Sequence, residues 1–155
     1  YWIWEYPDYT KDYIVVADVA RGDGADWSTF HVIDVETIKQ VAEYKGKLPP
    51  KDFGNMLVTV ATEWNNALLA IENANIGWAA VQPALDRNYE NLFYTYKDDG
   101  YGTWSFNYIK NKTINDISFR NVHERRNSNY KIKKINTRNV CICLAKWQST
   151  SSNWI

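Results

Sequence analysis

One acidic residue interrupts an apolar run and a second closes another. Asp18 follows Ile14-Val15-Val16-Ala17 and precedes Val19-Ala20, and Glu72 closes Leu68-Leu69-Ala70-Ile71. Runs of this kind read as strands buried on both faces. An ionised carboxylate there is costly unless something pairs with it, and a bound cation is the strongest partner available. A single Asp after a strand is as often a turn or cap former. Two acids brought together at the centre of one sheet point instead to a divalent-metal site.

The elements around them decide whether the two acids meet. Residues 1–12 begin with Tyr1-Trp2-Ile3-Trp4 and stop at Pro7, an aromatic linker or edge segment that covers apolar surface. A first strand covers about Tyr13–Ala20, and Arg21-Gly22-Asp23-Gly24 is a turn signal. Trp27–Val35 is rich in Thr, Phe, Val and Ile and reads as a second strand. The turn Asp34-Val35-Glu36-Thr37 leads to a third at Lys39–Tyr44, completing an antiparallel meander. Pro49-Pro50 then breaks the pattern. Phe53, Leu57, Val60, Ala61 and Trp64 recur at helical spacing, which predicts an amphipathic helix over Pro50–Asn65. Ala67–Glu72 is the fourth strand, reached by a parallel crossover. Asn73 or Asn75 is placed to cap a second helix over Ile76–Arg87, with Trp78, Val81 and Leu85 inward and a kink or late first turn at Pro83. Leu92–Thr95 is a fifth strand. The fold class is therefore α/β, a mixed sheet of three antiparallel strands followed by helix, strand, helix, strand. That order is ribonuclease H-like, and it sets strands one and four side by side, with Asp18 and Glu72 together.

Composition bounds the partners. The chain has 155 residues with 18 Lys plus Arg against 18 Asp plus Glu, so its net charge argues neither for nor against a polyanion. The charge is uneven: most acids lie in residues 1–52, whereas Arg120–Arg138 is a basic stretch whose one acid is Glu124. No run reaches the roughly 18 apolar residues of a membrane span, and no charged segment leads an apolar one as in a secretory signal. The sequon Asn111-Lys112-Thr113 is accordingly idle. Cys141 and Cys143 would share a strand face, but a zinc site needs further ligands and the chain has two histidines, His31 and His123. His31 reads as an ordinary strand residue. The chain starts at Tyr1 without Met, as a piece of something longer does.

A family resemblance sharpens this reading. Val16-Ala17-Asp18-Val19-Ala20-Arg21-Gly22-Asp23-Gly24-Ala25-Asp26-Trp27-Ser28 resembles the first acidic motif of the nuclease domain in large terminase subunits of tailed bacteriophages. Ala70-Ile71-Glu72-Asn73-Ala74-Asn75, followed by Gly77-Trp78, resembles the second. Tyr44-Lys45-Gly46-Lys47 with Pro49-Pro50, and Asn91-Leu92-Phe93-Tyr94-Thr95, are similar to segments of the same family. The resemblance runs from about Tyr6 to Asp98. It implies an endonuclease that cuts concatemeric viral DNA in the host cytoplasm during packaging, with double-stranded DNA, the portal and the small terminase subunit as partners. It makes Asp18 and Glu72 metal ligands for Mg²⁺ or Mn²⁺, two ions in the complete site, and Asp26 a weaker supporting acid behind them. The ions would activate water and stabilise the leaving oxygen. The family's ATPase domain carries a phosphate-binding Gly-Lys-Ser/Thr loop, and its absence here fits a fragment. Junction resolvases and transposases share this arrangement, and a non-catalytic DNA-binding module is the other alternative.

The resemblance stops after Asp98. The family continues to a further acid that completes the metal site, whereas Trp104–Ile155 is rich in Asn, Lys, Ser and Ile without clear periodicity. One coding of Val140–Ile155, read with its first base dropped, gives YVFVWQNGKAQAQTG, which is similar to the family's approach to that acid. The chain is thus expected to divide into residues 1–12, an incomplete nuclease core at 13–98, and a poorly packed tail at 99–155 translated out of frame. On that reading the basic character of Arg120–Lys134 is a by-product of codon usage and not a DNA contact.

Overall fold

The computed structural model describes residues 1–73, 75–96 and 102–104. Its centre is a five-stranded mixed sheet. The strands are β1 (Trp2–Ile3), β2 (Tyr13–Asp18), β3 (Ser28–Asp34), β4 (Lys39–Gly46) and β5 (Leu68–Ile71), in the order β1-β4-β3-β2-β5. β2, β3 and β4 form the antiparallel meander, and β5 joins β2 in parallel, with Ile14 opposite Leu68 and Ala17 opposite Ile71. This is the ribonuclease H-like arrangement. Trp2 and Ile3 pair with Glu43 and Ala42, so the aromatic N-terminal segment forms an edge strand. Tyr1 packs edge-on against Phe30 and its hydroxyl accepts a bond from the Trp64 indole N–H at 2.9 Å.

The alternation of side chains on β2 sorts the core into two faces. Tyr13, Val15 and Ala17 join Phe30, Val32, Leu69 and Ile71 beneath the helices, whereas Ile14 and Val16 join Ile33, Ala70 and Phe93 on the other face. Helix α1 (Pro50–Glu63) begins with Pro at its first position, where no N–H is needed. It buries Phe53, Leu57, Val60 and Ala61, with Trp64 just past its end. Asn65 and Asn66 both take left-handed backbone angles (φ 56° and 52°), and Ala67 N–H returns to the Ala61 carbonyl, which stops the helix and releases β5.

Three expectations are corrected. Helix α2 (Trp78–Asp86) starts later than expected, with Gly77 at its N-cap position and no side-chain cap there, because a 3₁₀ turn at Asn75–Gly77 leads into it. Trp78 is 46% exposed, and the inward face is instead Ala80, Val81, Pro83 and Ala84. The reason lies in α1. Gly54 approaches α2 so closely that an added Cβ would run into the Ala80 carbonyl, so the crossing needs small residues, not an indole. The fifth strand splits. Leu92 makes one parallel bridge to Leu69, and Tyr94–Tyr96 (β6) pairs antiparallel with Gly102–Trp104 (β7) in a separate ribbon. Among the described residues no helix is long and apolar enough to cross a membrane.

Candidate functional site

Register brings the two acids into neighbouring places. The Glu72 amide donates to the Ala17 carbonyl at 2.9 Å, so the pair after Ala17 and Ile71 is Asp18 and Glu72. Both share the parity of Val16 and Ala70, which puts them on the face away from α1 and α2. Each is partly buried, and together they line one open cleft of about 740 Å³, with Arg21, Asp23, Asp26 and Ile76 also on its wall.

Two devices hold the loops that frame this cleft. Ser28, fully buried, accepts the Ala20 amide at 3.0 Å through its hydroxyl and donates back to the Ala20 carbonyl at 3.4 Å. That cross-link closes the base of the 21–27 loop, so Asp26 returns to the cleft beside Asp18. On the other side, Gly77 passes so near the Glu72 carbonyl that any Cβ would collide with it. The first helical turn after β5 is thereby packed onto the backbone of Glu72.

An adjoining cleft of about 470 Å³ runs from Asp18 and Asp26 across the same sheet face to Trp27, His31, Glu43 and Lys45. Pairing explains the set: Asp18 faces Thr29, which faces Lys45, and Val16 faces His31, which faces Glu43. His31 Nδ1 lies 3.8 Å from Glu43 Oε2 and is buried without a hydrogen bond. Burial drives its pKa below the ordinary value against the pull of Glu43, leaving the imidazole neutral near pH 7. Trp27 is 46% exposed, and the ammonium groups of Lys45 and Lys47 stand over its ring at 5.6 and 4.7 Å from the centroid. All three fall in stretches already singled out, Trp27 after Asp26 and the lysines in Tyr44-Lys45-Gly46-Lys47, but not as a group. Their signal is the period of two along β4, which puts Lys45 on the face of Asp18.

The donor chemistry fits a hard cation. Mg²⁺ keeps several waters and is commonly held by one or two carboxylates together with substrate phosphates, which a carboxylate pair on an open cleft suits. Among the described residues no group of three or more His, Cys, Asp or Glu side chains could hold a metal ion, so Asp26 lines the cleft without completing a three-acid cluster. The other acids that could complete the set, Asp98 and Asp116, lie outside the described residues, as do Asn111, His123, Arg120–Lys134, Cys141 and Cys143.

Compared with known proteins, the chain matches no family model and no curated protein sequence. Among solved structures it is similar to the large terminase nuclease from thermophilic phage G20c, at 14% identity and a TM-score of 0.45, over 66% of this chain and 76% of that one. The same nuclease with bound cobalt gives 13% and 0.46 over the same shares. The large terminase nuclease domain of Thermus phage P74-26 gives 15% and 0.36, over 64% of this chain and 72% of that one.

Proposed function

We propose that this chain carries the core of a metal-dependent DNA endonuclease of the large-terminase type, which cuts concatemeric viral DNA as genomes are packaged in the host cytoplasm. The observation that supports this best is the parallel pairing of β2 with β5, whose register sets Asp18 beside Glu72 on one face and one cleft. The motif wording around both acids supports the choice of terminase over a resolvase or transposase on the same fold. Asp18 is the central ligand, Glu72 holds one ion, and Asp26 supports them from the 21–27 loop. Mg²⁺ or Mn²⁺, when bound, supplies an activated water and stabilises the leaving oxygen. The protein's own part is to hold two carboxylates on rigid strand ends and to leave the cleft open for a phosphodiester. Double-stranded DNA is the substrate, and the portal and small terminase subunit are the partners that the resemblance suggests.

On this reading residues 13–98 are the nuclease unit, and residues from about 99 onward are translated out of frame, so the acid that completes the site is not encoded. One observation favours a second reading, a DNA-binding module without catalysis: the described residues hold no cluster of three potential ligands. Plasmid nicking in Mn²⁺ separates the two. A chain with its reading frame restored after codon 98 should nick supercoiled plasmid, and Asp18→Asn in it should abolish nicking. Nicking that survives Asp18→Asn would remove Asp18 from the reaction and overturn the proposal.

A further inference from the structure

Outside the acidic pair, the described residues place on the cleft's second wall an arrangement whose charge and geometry specify a ligand. Trp27 and Lys47 flank the last pair of the β3–β4 ladder, Ser28 with Gly46, and Lys45 lies one residue before it. Ser28 shares the parity of Phe30 and Val32, which pack beneath the helices. Trp27, Lys45 and Lys47 therefore share the opposite face, that of Asp18. Two strand spacings separate Lys45 from Asp18, about 10 Å at the backbone. Both lysines are exposed, yet both ammonium groups stand over one half-exposed indole. A free lysine on a surface samples many rotamers. Two held on one ring by cation–π attraction are positioned cations at the rim of an anionic cleft.

We infer that Trp27, Lys45 and Lys47 form a clamp for the sugar–phosphate backbone of duplex DNA, engaging phosphates on one side of the bond that lies over Asp18 and Glu72. The acids alone would repel a polyanion, and the clamp supplies positive charge at a fixed place beside them. Lys45 and Lys47 are the binding groups; Trp27 is a positioning residue that keeps both ammonium groups on the cleft side. The clamp reads no sequence, because contacts to phosphate oxygens fix position and register only. It rests on the nuclease reading for its place in a reaction, but its binding is separable from cleavage.

The test uses the full chain, a mixed-sequence DNA duplex labelled with fluorescein, and EDTA to prevent cutting, with anisotropy titrations at several salt concentrations. Each phosphate contact contributes about 0.9 to the slope of log K against log salt. Lys45→Gln with Lys47→Gln should lower that slope by about 1.8, and each single change by about half as much. Trp27→Leu keeps both charges but frees them, and should weaken binding about 2–5-fold for each ammonium released, with Trp27→Phe restoring most of it. Unchanged circular dichroism confirms that these exposed changes leave the fold intact. A slope unaltered in the double variant overturns the clamp, even if Asp18-dependent nicking is present. A reduced slope without nicking by the restored-frame chain keeps the clamp and removes the nuclease reading.

Discussion

Asp34 shows what a buried carboxylate in this chain requires when no metal is involved. It is fully buried at the end of β3, accepts the amides of Glu36 at 2.8 Å and Thr37 at 3.1 Å, and pairs with Lys11 Nζ at 3.0 Å. Burial pushes its pKa up, but the Thr37 amide, Lys11 and the Glu36 amide together outweigh that and hold it below the ordinary value. A depressed folded pKa contributes stability that is present above the unfolded value of about 3.9 and is lost as pH falls through the folded value. Asp34→Asn should therefore cost about 1.5–3 kcal/mol at pH 7, the range for hydrogen bonds to a charged group, because Lys11 is 31% exposed and returns to water when its partner charge is lost. Urea midpoints of the two proteins should start to converge as pH falls below the unfolded value of about 3.9 and meet only once it has passed through the lower folded value. A gap that stays constant to pH 3 would show that the amide turn, not the charge, carries the effect. Asp18 and Glu72 contrast with Asp34, since each is only partly buried on an open cleft. Sequence made all three visible as acids beside apolar runs. It separated the structural one from the candidate ligands because Asp34 opens a turn signal, whereas Asp18 and Glu72 lie on strands predicted to be neighbours. Trp27, Lys45 and Lys47 stayed hidden, since their proximity depends on the exact β3–β4 register.

At the scale of elements, the strand order was legible because each element has a strong period and short punctuation. The core positions of α1 were read correctly at Phe53, Leu57, Val60, Ala61 and Trp64 for the same reason. Trp78 was misread because periodicity counts an indole as apolar without regard to room. Gly54 decides the matter, by bringing α1 onto the α2 backbone at Ala80. Glycine within a helix costs about 0.5–1 kcal/mol relative to alanine, so Gly54→Ala would stabilise an isolated helix. Here the added methyl meets a backbone carbonyl, which cannot rotate away as a side chain could. The expected outcome is net destabilisation of about 1–3 kcal/mol, read as a lower urea midpoint with unchanged m value. A gain in stability would mean that the two helices separate easily. Because α2 follows directly from the turn packed on Glu72, Gly54→Ala should also disturb the cleft. Gly77→Ala should disturb it more directly, through the Glu72 carbonyl.

Across the whole molecule the question is how many cations the cleft can hold. Two carboxylates bring −2 against +4 for two divalent ions, an excess that a third acid would reduce while fixing the second ion. Mg²⁺ requires near-octahedral geometry and gives up its waters reluctantly, so a missing rigid ligand weakens the second position most. The described residues hold no three-ligand cluster. On the proposed reading, in which the completing acid is not encoded, the 155-residue chain is expected to bind a single divalent ion, weakly, and to cut DNA slowly or not at all. Isothermal titration with Mn²⁺ should give one low-affinity site that disappears in Asp18→Asn. The chain restored in frame after codon 98 should gain a second site and with it metal-dependent nicking. Glu72→Gln should then weaken one of the two sites and leave the other measurable, because Asp18 alone is proposed to hold both ions. Two tight sites in the present chain would show that an acid already encoded, Asp26, Asp98 or Asp116, completes the centre. Single changes of those three to Asn would identify which, since removing the true third ligand returns the titration to one weak site.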